Sequence, residues 1–147
     1  MGLKAYLPAA LVVFLAATTG ADVYARITIG HEHFSPALSD HFYWAVVQFV
    51  GTLLLLAPFV GVAFVCAYVE KRARIRSAIL IFAAAMLVLF YFYFQGHQAA
   101  ERAVVAKMWT AATLSIGLLP FFIGIPVILV AMGAAALAIK LDRCAIK

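Results

Sequence analysis

Glu70-Lys71-Arg72-Ala73-Arg74-Ile75-Arg76 packs four cations into seven residues, and a long apolar run lies on each side of it, 42–69 and 77–94. A cation at the centre of a bilayer costs at least ~2.5–3.5 kcal/mol. The block therefore predicts a turn at a membrane surface between two membrane-spanning helices. It also marks the side of the membrane that keeps Lys and Arg.

Composition agrees with that reading. The chain is 67% hydrophobic and 12% charged, with a mean hydropathy of +1.09. Soluble domains carry about 25% charged residues, so this chain has too few charges to cover a water-facing surface. The apolar runs are continuous, whereas an outer-membrane barrel alternates over about ten residues per strand. The expected fold class is an all-α integral membrane protein, a single membrane domain with four transmembrane helices in an antiparallel bundle. The formal net charge of +5 sits at the ends of the spans, where it meets lipid headgroups. No basic patch is interleaved with aromatics, so nucleic acid is not an expected partner.

The spans are read at about 5–29, 41–69, 75–94 and 109–139. In the first, Pro8 is placed in the opening turn, where a missing N–H is harmless. Asp22 and Arg26 are four apart and share a face if the helix reaches them. Met1 to Ala21 also has the outline of a secretory signal cleaved after Ala21; a retained helix is the preferred reading. Residues 30–40 read as an outer loop: Gly30 ends the helix, Ser35-Pro36 turns the chain, and Ser39 or Asp40 caps the next helix. The second span exceeds the ~30 Å hydrocarbon core at 1.5 Å per residue, and Pro58 predicts a kink within it. Phe42-Tyr43-Trp44 forms one aromatic belt and the run from Phe90 to Phe94 another. The third helix is expected to continue through Gly96 toward Lys107 on the helix propensity of 99–106. The fourth begins at Trp109 and is made irregular by Pro120 and Pro126. Ala57 with Gly61, and Gly133 with its alanine neighbours, offer small surfaces for helix packing, and Gln48 offers an interhelical hydrogen bond.

The basic residues give the orientation. With the arginine block in the cytoplasm, Lys4, Lys71, Arg72, Arg74, Arg76, Lys140, Arg143 and Lys147 fall on that side, and Arg26, Arg102 and Lys107 on the other. Both termini are then cytoplasmic, and the expected location is a bacterial inner membrane. Cys66 and Cys144 face the same compartment and read as free thiols. The block Lys71, Arg72, Arg74 and Arg76 either sets topology alone or also meets anionic lipid headgroups.

Under this topology all four histidines are on the outer side. His31 and His33 are two apart; His97 and Glu101 are four apart, on one helical face. Imidazole and carboxylate suit a transition metal, and Met108 lies near the same face. His41 and His97 are a pair that a haem between helices would need. The simpler expectation is solvated polarity at a loop and helix ends, since no HxxxH, HExxH or CxxC spacing is present. Ser115 lies outside any Gly-x-Ser-x-Gly motif, which leaves no sign of a catalytic centre.

A coupled carrier keeps an ionisable group within the membrane. None of the six acids is placed in mid-span by this reading. The leading expectation is accordingly a non-catalytic accessory or structural subunit, contacting other integral membrane proteins or itself and needing no cofactor. The alternatives are an outer-face redox protein binding a metal or haem through His97, Glu101, His31 and His33, and a small carrier or channel.

Overall fold

The computed structural model describes residues 2–144, with Arg143 and Cys144 described by backbone alone. Lys147 and the side chains of Arg143 and Cys144, used in the readings above, lie outside what is described. Among the described residues every regular element is a helix, and four helices are long and apolar enough to cross a membrane. We number the helices α1 (Leu3–Thr28), α2 (Phe34–Val47), α3 (Phe49–Glu70), α4 (Ile75–Val105) and α5 (Trp109–Asp142).

α1 begins at Leu3, so Pro8 falls in its second turn rather than its first. The helix widens into a π turn at Ala16–Gly20. There the Thr18 hydroxyl donates to the Phe14 carbonyl at 2.8 Å, a competitor for the helical ladder. Ala21, the residue of the possible cleavage site, is buried inside the continuing helix.

The connection to α3 differs from the sequence reading. Residues 34–47 form a helix of their own, and the loop read over 30–40 shrinks to residues 29–33. Ser35-Pro36 opens this helix instead of making a turn, because proline's fixed φ and missing N–H suit the first helical turn. The break in the second apolar run lies at Gln48, whose backbone leaves the helix at φ −101°, ψ 42°. The Thr52 hydroxyl reaches across to the Ala45 carbonyl at 3.0 Å and so satisfies a group that the break frees. Pro58 sits inside α3. One turn away, the Tyr93 hydroxyl donates to the Leu55 carbonyl at 3.1 Å.

Helix association in lipid rests on close packing rather than on hydrophobic burial. Phe59 is fully buried and meets two rings edge-on, with centroids 5.4 Å from Phe14 and 5.0 Å from Tyr93, tying α1, α3 and α4. Two glycines let α5 approach α3: a Cβ on Gly124 would collide with the Pro58 ring, and one on Gly61 would lie 2.8 Å from Ile128. Pro120–Gly124 is itself a π turn. α4 ends at Val105 in a left-handed cap: Lys107 has φ 60°, and Met108 N donates to Ala103 O at 2.8 Å.

One end of the bundle carries the arginine turn. The Gly2 amide donates to Glu70 at 2.9 Å, and the Arg74 amide donates to Asp142 at 2.7 Å. Asp142 thus places a carboxylate at the N-terminus of α4, where the helix dipole favours it. The C-terminal ends of α1 and α4 meet α2 at the other end.

Candidate functional site

Thr19, Asp22 and Arg26 of α1 stand at i, i+3 and i+7, a polar stripe that continues toward Gly30. Such spacing aligns them on one face. On α4, His97 and Glu101 share a face. The structure turns the two faces toward each other and closes the third side with His41 of α2.

Asp22 is the hub. Its Oδ2 accepts from Arg26 Nε at 3.1 Å and from His41 Nδ1 at 2.9 Å. Its Oδ1 faces His97 Nδ1 at 3.5 Å. The Nε2 of His41 meets the Thr19 hydroxyl at 3.0 Å. The hydroxyl belongs to the π turn, a distortion common at functional sites. In the neutral ring Nδ1–H donates to the carboxylate and Nε2 accepts from Thr19; in the charged ring Nε2 donates to the threonine oxygen instead. His41 is thus satisfied in either form. Arg26 also faces Glu32 at 3.7 Å and Asp40 at 3.9 Å, contacts at which the charge counts more than the hydrogen bond.

His97 is different. It is 5% exposed, and neither ring nitrogen has a hydrogen-bond partner. The 3.5 Å to Asp22 is an ion-pair separation, too long for a good hydrogen bond. Glu101 is 8% exposed and lies against the end of α1, where a Cβ on Gly30 would stand 2.5 Å from its Oε1 and 2.8 Å from the Arg26 carbonyl. That close approach is what Gly30 provides. The left-handed residue of this turn is His31, at φ 57°, with Glu32 N donating to Arg26 O at 3.0 Å.

These facts correct the expectation of solvated polarity at His97 and Glu101: both are enclosed by protein. They also locate the other candidate residues. His31 and His33 are exposed, as is Met108, and among the described residues no group of three His, Cys, Asp or Glu side chains is placed to hold a metal. A haem between His41 and His97 does not fit, because both ring nitrogens of His41 are engaged and both imidazoles converge on one carboxylate. Gln48, Ala57 and Gly133 are exposed, whereas Gly61 packs on Ile128. Lys71, Arg72, Arg74 and Arg76 are exposed, with Arg72 stacked over Tyr68 at 4.4 Å and Arg74 Nε 3.7 Å from Asp142.

The sequence reading missed Thr19 and the role of Asp22 as hub. The signal was the polar stripe within an otherwise apolar helix. What the stripe faced was not legible, because His41 was read as the start of the second span, whereas it belongs to a separate helix over 34–47. No protein family, curated protein or solved structure matches this chain.

Proposed function

We propose that this chain is a small proton-binding membrane protein of a bacterial inner membrane. In this reading its four spans pack antiparallel, with both termini and the arginine turn cytoplasmic, and the centre around Asp22 lies on the outer side. The distribution of Lys and Arg supports the orientation. Asp22 stands nineteen residues beyond Leu3, or ~29 Å along a helix, which brings it near the outer boundary of a ~30 Å core.

One observation carries the proton assignment: His97 is buried, its ring nitrogens lack hydrogen bonds, and a carboxylate oxygen stands 3.5 Å away. An unbonded buried polar atom costs about 1–3 kcal/mol, so a proton that turns His97–Asp22 into an ion pair has a place to go. Ionisable groups enclosed in membrane helices mark ion and proton sites by default. The argument that set the carrier aside was the lack of a carboxylate in mid-span; Asp22 and Glu101 lie toward one end of the candidate spans, yet both face protein rather than open surroundings.

The test is a difference titration of the purified chain and His97→Gln between about pH 5 and 8, the range in which histidine ordinarily titrates. The reading expects the variant to take up fewer protons. Superimposed curves contradict it.

A second reading, an accessory subunit of a larger complex, is favoured by α5. Only 17% of its most apolar window is buried within the chain, which leaves a broad face for another membrane protein. Co-purification of a stoichiometric partner from native membranes tests it.

A further inference from the structure

A groove runs between α4 and α5 on the outside of the bundle, from Phe92 and Phe122 down to Leu80 and Ala134. Its volume is 540 Å³, and its thirteen lining residues are all apolar. Alanines on both walls, Ala84 on α4 and Ala131 on α5 among them, make the hollow. The size falls within the ~300–1,000 Å³ of small-ligand sites, too small for a whole helix of ~10–12 Å diameter.

Its length and position narrow the occupant. The stretch from Leu80 to Phe92 is twelve residues, ~18 Å of helix, close to the ~15 Å hydrocarbon depth of one leaflet. The groove closes one helical turn from Arg76. Arg76 is exposed and has no carboxylate partner among the described residues, whereas Arg74 is held by Asp142 and Arg72 stacks on Tyr68. An apolar slot one leaflet deep, ending at an exposed cation, is complementary to a single lipid with an anionic headgroup.

We propose that the α4–α5 groove holds one acyl chain of an anionic phospholipid whose headgroup is met by Arg76. The site is independent of the Asp22 centre and stands or falls separately from the proton reading.

The test is native mass spectrometry of the full chain in detergent with equal amounts of phosphatidylglycerol and phosphatidylcholine. The chain is expected to retain phosphatidylglycerol in preference. Arg76→Gln should cut that preference about fivefold, the factor for one cation at an anionic surface. Ala84→Phe, which fills the groove from its exposed side, should lower retention of both lipids. Lys107→Gln, at the opposite end, should change neither, and helical content by circular dichroism confirms that each variant folds. Equal retention of the two lipids by the unaltered chain overturns the headgroup assignment. Unchanged retention in Ala84→Phe overturns the groove.

Discussion

The imidazole of His97 faces one oxygen of Asp22 at 3.5 Å, while His41 holds the other oxygen at 2.9 Å. One carboxylate from α1 therefore joins histidines from α2 and α4. α1, α2 and α4 meet through charge at the end opposite the arginine turn, and α1, α3 and α4 through aromatic packing around Phe59 in the middle. Several outcomes depend on that division.

Removing the hub should be costly. Asp22→Ala leaves His41 without its acceptor and His97 without the carboxylate that faces it, and deprives Arg26 of its shortest ion pair. Breaking a fully buried pair costs ~3–5 kcal/mol. Asp22 is partly exposed, and Arg26 keeps Glu32 and Asp40, so ~1–3 kcal/mol is expected. Denaturant unfolding of the purified chain measures this, and a variant as stable as the parent would show the centre to be energetically idle.

α2 should depend on His41. Of its fourteen residues only Ala37 is buried, while Phe42, Tyr43 and Trp44 face outward. Its hold on α1 is largely the pair of bonds from His41 to Asp22 and Thr19. His41→Ala should release ~1–2 kcal/mol of local stability, so amides of α2 should exchange about 5–30 times faster. Amides in the middle of α3 and α4 should be unaffected. Uniform acceleration across all helices would mean that His41 supports the whole fold instead.

Gly30 and Glu101 should couple. Gly30→Ala drives a methyl into the Glu101 carboxylate and toward the Arg26 carbonyl. Shortening the acid in Gly30→Ala/Glu101→Ala removes the first clash and leaves the second. The double variant should therefore lose less stability than the two single losses added together, by ~0.5–3 kcal/mol, in a double-mutant cycle. Additive losses would place the two residues apart.

Lys107 offers a gain. Its φ of 60° costs an L-residue roughly 1–2 kcal/mol, which glycine avoids. Allowing for the greater freedom of glycine in the unfolded chain, Lys107→Gly should stabilise the α4–α5 turn by ~0.5–1 kcal/mol. A loss of stability would show that the lysine side chain contributes more than its backbone costs.

The class of fold was legible because lipid leaves few choices: long apolar runs, a four-cation turn and interfacial aromatics all point to helices that cross. The position of the breaks was not. Ser35-Pro36 has the same appearance whether it ends a loop or begins a helix, and the break at Gln48 falls on a residue that is neither Pro nor Gly. The centre was half legible. The Asp22–Arg26 spacing predicts a shared face, and the structure shows the pair at 3.1 Å. The His97–Glu101 spacing likewise gives a common face. Their burial was hidden, because it depends on how α1 and α4 rotate against each other, and periodicity within one helix carries no information about that.

The most direct test of the proton-binding centre follows His97 itself. Solid-state NMR of ¹⁵N-histidine-labelled chain in lipid bilayers separates neutral from charged imidazole. The account predicts that the His97 signals respond to pH in the unaltered chain and that Asp22→Asn changes that response, because the carboxylate facing the ring is gone. A His97 ring that never changes form, or that titrates identically in both proteins, contradicts the account.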